Sequence, residues 1–191
     1  EAPPISPSCE ANPTHAFIIP AWAFDRGNAQ TFTKEYADAG PMIAYGGESP
    51  VVAEYDIEFP TATEYRLRVQ YAAAEPRPVT LAVDGRVVTN ICRSVTGSWN
   101  TSGAGWEASA LLPLTAGKHT FKLERNGSFP HVMNLRFDSA LPLPAGWVVN
   151  RPTARKLVAG IPTPTVTPHE PGVNLPALRR AIEDLVRTYG D

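Results

Sequence analysis

Tyr45, Trp99 and Trp106 are the side chains of this sequence whose surroundings fit chemistry better than packing. Tyr45 lies in Ile43-Ala-Tyr-Gly-Gly-Glu48 and Trp99 in Thr96-Gly-Ser-Trp-Asn-Thr101, both small, glycine-containing stretches that offer a ring few apolar partners. A flat ring beside amides and carboxylates suits a sugar. The C–H face of a pyranose stacks on the ring, while Glu48, Asn100 or Asn126 can hydrogen-bond its hydroxyls. The competing reading is that Trp99 and Trp106 cap the open end of the fold. Residue chemistry alone leaves the two open.

No catalytic constellation accompanies these rings. The four histidines (His15, His119, His131, His169) are scattered, none at the helical spacing from another ligand that metal motifs require. His119 falls on a strand flank and His131 follows a Phe-Pro turn, both structural or solvent-facing settings. Ser98 and Ser102 lack the strand–turn–helix context of a nucleophile elbow. No glycine-rich loop precedes a helix, and no carboxylate pair shares a cleft. The reading is of a non-enzyme with no catalytic residues.

Composition narrows the classes further. A net charge of -2 across 191 residues gives no electrostatic reason for a nucleic-acid partner or a membrane surface. No apolar run approaches the ~20 residues of a spanning helix. The chain opens at Glu1 without a Met or an apolar leader, and so reads as a mature or trimmed chain.

The elements that must position the rings are strands. Val51, Ala53, Tyr55, Ile57 and Phe59 alternate with polar partners, as do Tyr65, Leu67, Val69 and Tyr71. Val79, Leu81 and Val83 repeat the pattern and run into Asp84-Gly85, the dipeptide of a type I′ hairpin turn. The segment from Glu64 to Gly85, with a Pro-Arg-Pro corner inside it, reads as two adjacent core strands. Trp106–Leu114, Lys118–Arg125 and Val132–Phe137 complete about seven strands, with long loops over Ala29–Ser49 and Asn90–Gly105. The fold class is all-β: an antiparallel β-sandwich, jelly-roll-like and galactose-binding-like, with a Pro-rich tail and one C-terminal helix.

The expected organisation is an extended Pro-rich arm over 1–14, a sandwich over 15–140, a linker or wrapping tail over 141–173, and an amphipathic helix over 174–191. Eight prolines lie from Leu141 to Pro176. Trp147-Val148-Val149 would be costly left in water, which favours wrapping. Leu175, Leu178, Ile182, Leu185, Val186 and Tyr189 form one helical stripe, which either docks on the sandwich or begins a further domain. Cys9 and Cys92 either bridge the arm to the sandwich or remain two thiols.

The stretch from Phe17 to Ala140 resembles a family 6 or family 35 type carbohydrate-binding module. The resemblance is carried by Ala53-Glu-Tyr-Asp-Ile57, Tyr65-Arg-Leu-Arg-Val-Gln-Tyr-Ala72, Val83-Asp-Gly85, Thr96-Gly-Ser-Trp99 and Leu114-Thr-Ala-Gly-Lys-His119. Phe24-Asp-Arg-Gly-Asn28, Ala72-Ala-Ala-Glu-Pro-Arg-Pro78 and Phe129-Pro-His131 are similar to modules embedded in large exported planctomycete proteins with cytochrome-like domains.

The resemblance implies a sugar held between two loop aromatics, with Tyr45 and Trp99 in the matching positions and Asn134 or Asn126 completing the cleft. It implies a polysaccharide or oligosaccharide partner, a covalently linked downstream domain, and a secreted, periplasmic or cell-surface bacterial location. The family's structural calcium uses a Glu-x-Glu strand, where this sequence reads Pro20-Ala21-Trp22, and a last-strand Asp, where it reads Met133-Asn-Leu-Arg136. No calcium or other cofactor is therefore expected, and Asp25, Asp38 and Asp138 are weak alternatives. The second functional reading is a structural or protein-interaction module that positions neighbouring domains, with sugar binding lost.

Overall fold

From Val51 to Phe59 the expected alternation is realised side chain by side chain, with Val51, Ala53, Tyr55, Ile57 and Phe59 all buried. The computed structural model describes residues 15–151. The arm, the helix at 174–191, Cys9 and its pairing with Cys92 lie outside the described residues. Cys92 itself is buried, and burial raises the pKa of its thiol.

The strands in chain order are β1 (Ala16–Pro20), β2 (Arg26–Gly27), β3 (Thr31–Phe32), β4 (Met42–Ile43), β5 (Val51–Phe59) and β6 (Thr63–Ala72). Then follow β7 (Val79–Val83), β8 (Arg86–Ile91), β9 (Gly105–Leu114), β10 (Gly117–Arg125) and β11 (His131–Ser139), with one 3₁₀ turn at Thr101–Gly103. They form two antiparallel sheets. One runs β3-β4-β11-β6-β9, with β1 also on β11; the other runs β2-β5-β10-β7-β8.

This topology corrects the reading of Glu64–Gly85. β6 and β7 are not paired strands; they belong to opposite sheets, and the residues between them carry the chain across the core. Ala72 and Ala73 are fully buried at that corner, and Pro76 and Pro78 lack the N–H groups that would continue a ladder. Alternation reports that one face is buried, not which neighbour a strand pairs with. The Asp84-Gly85 turn does join a hairpin, β7 to β8, with φ of 50° and 78° at the two residues as a type I′ turn demands.

The sandwich interior is aromatic toward one end. Phe17 stacks on Phe137 at 5.1 Å, and Phe59 meets Tyr65 edge-on at 4.8 Å and Phe137 edge-on at 5.4 Å. Offset and edge-to-face pairs of this kind add about 0.5–1.5 kcal/mol each beyond their buried area. Past β11 the chain packs back onto this cluster: Leu143 is buried, and Trp147 meets Phe17 edge-on at 5.1 Å. Arg151 then reaches inward with its side chain 2% exposed. It pairs with Asp25, and donates to Asp56 O at 2.6 Å.

Candidate functional site

At the other end of the sandwich the loops after β2, between β8 and β9, and between β10 and β11 converge. The first loop is fastened at both feet. Asn28 accepts from Val52 N at 2.7 Å and donates to Pro50 O at 3.0 Å. Gln30 and Tyr45 are tied by a backbone bond of 2.9 Å. A Cβ on Gly46 would sit 2.9 Å from Asn28 O, so only glycine lets the two legs approach this closely. Between the legs, β3 and β4 lay Phe32 and Met42 over the outer side of β11. Met42, Ala44 and Met133 form a small second core there, with Phe32, Ala37 and Ala104 packed on it.

The tip of this loop is pinned to the β8–β9 connection through Thr101 and Ser102. Thr101 is 3% exposed. Its Oγ1 accepts from Ala39 N at 2.8 Å and donates to Asp38 Oδ1 at 3.1 Å, and its backbone N–H donates to Tyr36 O at 2.8 Å. Ser102 gives Asp38 both its amide and its hydroxyl, which holds the carboxyl down at about 2. Tyr36 sits in this clamp with φ of 59°, a left-handed backbone that a bulky non-glycine residue adopts only when its neighbours impose it.

The result is a depression of about 140 Å³. Tyr36 and Tyr45 stand at it half exposed, at 52% and 48%. Phe32, Met42 and Ala44 supply its apolar lining, and Glu35, Arg77, Ser128 and His131 its polar groups. His131 is fixed in one tautomer: its Nδ1–H donates to Trp99 O at 2.5 Å, which leaves Nε2 an acceptor. Burial, with Arg77 nearby, lowers the His131 pKa against the pull of that carbonyl, so the ring is neutral at pH 7. Tyr36 leans on His131 at 5.2 Å.

Trp99 lies behind this surface. It is partly buried against the main core, the Arg77 guanidinium sits 4.0 Å over its ring, and His131 tilts against it at 5.2 Å. Arg77 is itself held by Glu75 at 2.8 Å and donates to Phe129 O at 3.1 Å. A ring capped by a guanidinium is a cation–π contact, not an open platform. Of the residues singled out from sequence, Tyr45 lines the depression and Trp99 does not. Glu48 and Asn126 are exposed on neighbouring loops joined by a Gly127 N–H to Ser49 Oγ bond of 3.1 Å, and Asn100 is exposed beside the Thr101 pin. Asn134 stands apart, on the outer face of the six-stranded sheet, bonded to Gln70 at 2.8 Å.

Tyr36, Arg77 and His131 also line the depression and are inconspicuous in sequence. The one usable signal was Arg77, an arginine between two prolines at a buried corner.

The three aspartates considered for calcium are each engaged by the protein. Asp25 accepts from Arg151 and from Asp56 N, Asp38 from Thr101 and Ser102, and Asp138 from Arg68 and Arg136. They lie at three separate places. Among the described residues no three His, Cys, Asp or Glu side chains group together.

No family model matches the chain, and no curated protein does. Solved structures do match. A family 35 carbohydrate-binding module from Clostridium thermocellum aligns at a TM-score of 0.54 and 23% identity, over 64% of this chain and 98% of that one. The fold is that of the family 35 and family 6 carbohydrate-binding modules. The C-terminal family 6 module of a marine laminarinase from Zobellia galactanivorans aligns at 0.52 and 16% identity, covering 65% of this chain and 99% of that one. A Podospora anserina β-(1,4)-mannanase that carries a family 35 module aligns at 0.55 and 17% identity, over 69% of this chain and 29% of that one. Among the described residues no helix is long and apolar enough to cross a membrane.

Proposed function

We propose that the chain is a non-catalytic carbohydrate-binding module that holds a sugar ring in the loop-end depression. The observation that carries this reading is the pair of half-exposed tyrosine rings, Tyr36 and Tyr45, flanking an apolar floor and a rim of Arg77, Glu35, Ser128 and His131. A pyranose offers apolar C–H faces and a belt of hydroxyls. The rings take the faces, and the rim, with the His131 acceptor, takes the hydroxyls. Hydrogen bonds to sugar hydroxyls only replace those to water, so the ring contacts set the affinity and a single site binds at roughly micromolar to millimolar Kd.

The setting that goes with this role is extracellular, with a polysaccharide as partner and a linked domain in the same polypeptide, the arrangement seen in the mannanase. Stacking on one tyrosine face covers about 50 Å², worth about 1.2 kcal/mol at ~25 cal/mol per Å². A glycan array identifies the ligand, and titration then measures it. Tyr36→Ala and Tyr45→Ala are each expected to weaken binding by about eightfold, with Trp99→Phe milder than either. Binding that survives the double substitution intact would refute the site.

A further inference from the structure

We propose that the edge strand β8 pairs antiparallel with β8 of a second copy of the chain, so that two five-stranded sheets join into one continuous sheet. The pairing uses no residue of the loop-end depression and does not depend on the reading of that site.

The orders of the two sheets end in β3 and β9 and in β2 and β8, and three of these four edges are shielded. β2 and β3 are two residues long, too short to template a partner. β9 carries Glu107 and Pro113, and its register breaks opposite the Arg66–Arg68 stretch of β6. β8 has six residues and spans about 20 Å, with its one charge at the first position, Arg86. From Val87 to Ile91 it holds no charge, Pro or Gly, and four of its side chains are β-branched. That is the composition of a segment prone to pair with its own kind. Among the described residues no backbone bond runs from β8 to any strand but β7, and Val87 is 71% exposed.

A bulge fixes which register such a pair can take. β7 and β8 meet as Val79–Ile91, Thr80–Asn90, Leu81–Thr89, Ala82–Val87 and Val83–Arg86, which leaves Val88 as the extra residue. Val79, Leu81 and Val83 belong to the core, so Ile91, Thr89 and Arg86 turn to the inner face and Asn90 and Val87 to the outer. Val88 lines a depression with Val83 and Leu111, on the same inner side as Thr89. A two-fold axis keeps every side chain on its own face. In an unbroken strand it can never bring an odd-numbered residue opposite an even-numbered one, whereas the bulge allows it. The register Val88–Thr89, Val87–Asn90 and Arg86–Ile91 therefore sets inner against inner and outer against outer.

Two steps further along, the same register sets Asp84 of one copy opposite Arg93 of the other, and symmetry makes this contact twice. Both residues are exposed. This complementarity of an acid at one end of β8 and an arginine at the other is what selects a second copy over an unrelated extended peptide. A net charge of -2 per copy adds little repulsion. The contact is one strand long, so the dimer is weak, with a Kd of about 10–100 µM. Antiparallel pairing also points the loop ends of the two copies in opposite directions.

The test is sedimentation velocity of the full chain from about 1 to 500 µM. A reversible dimer is expected and nothing larger, since a two-fold contact closes on itself. Val87→Lys places a charge at the middle of the edge and should weaken the dimer at least tenfold, with the thermal melt unchanged because Val87 is exposed. Arg93→Glu faces carboxylate with carboxylate at both ends and should weaken it about fivefold. Adding Asp84→Asn removes that repulsion and keeps a residue suited to the left-handed turn. It should recover most of the loss, an effect no damage to the fold would mimic. The proposal falls if the chain is monomeric throughout, if Val87→Lys associates as the native chain does, if species larger than a dimer form, or if Asp84→Asn recovers nothing.

Discussion

Thr101→Val tests the clamp that shapes the loop-end depression without needing any ligand. The substitution keeps the volume and removes one hydroxyl. Two hydrogen bonds go with it, from Ala39 N at 2.8 Å and to Asp38 Oδ1 at 3.1 Å. Ala39 is exposed, so water can reach its N–H and the loss sits at the low end of the range for a broken bond, about 0.5–1 kcal/mol. The bond to Asp38 involves a charged acceptor and is worth about 1.5 kcal/mol at most here, because Ser102 still holds that carboxylate. Burying a methyl in place of the hydroxyl returns about 0.8 kcal/mol. The net is about 1–1.5 kcal/mol, borne by the clamp and not by the sheets.

Hydrogen exchange reads this directly. The Thr101 amide, bonded to Tyr36 O, opens only when the clamp opens, so its exchange should rise by about five- to fifteenfold. Amides of Leu135 and Phe137 in β11 should keep their protection. Unchanged exchange at Thr101, or a uniform increase through β11, would refute the view that Thr101 locally holds Tyr36.

Two further outcomes follow from other parts of the molecule. Arg151→Met leaves Asp25 with only the Asp56 amide. Breaking a buried pair costs about 3–5 kcal/mol, but Asp25 is partly exposed and Arg151 Nε is buried without a partner, so about 2 kcal/mol is expected, a Tm loss of about 6–10 °C. Adding Asp25→Asn should recover part of it in a thermal melt, and additive losses would contradict the pairing. Burial, aided by Arg77, holds the His131 pKa below its ordinary value. The unfolded chain then takes up the proton first, so the His131 contribution is complete above about pH 6.5 and is lost as pH falls below it. In urea titrations from pH 8 to 5, His131→Asn should flatten that slope, and an unchanged slope would assign it elsewhere.

How much of this was legible depends on range. The alternation of β5, β6, β10 and β11 is local, and it gave the sandwich and the buried face of each strand. The crossing from β6 to β7 was not legible, because the same alternation serves a hairpin or a change of sheet. Tyr45 could be picked out because its glycine-flanked surroundings leave a ring nothing local to pack on. The same logic left Trp99 open between platform and cap, since the Arg77 and His131 that pack on it come from 22 and 32 residues away. Tyr36 sits in an ordinary Lys-Glu-Tyr-Ala-Asp run. Its position is set by Thr101, far along the chain, and no short pattern encodes that.

The clamp also bears on how such a surface can be exchanged between proteins. Tyr36 owes its left-handed backbone to Thr101, and Asp38 has its partners in Thr101 and Ser102. A transplant of residues 28–50 alone would carry the rings and leave behind what aims them. The smallest portable cassette is therefore discontinuous: the β2–β5 loop together with the β8–β9 connection, recut as one piece.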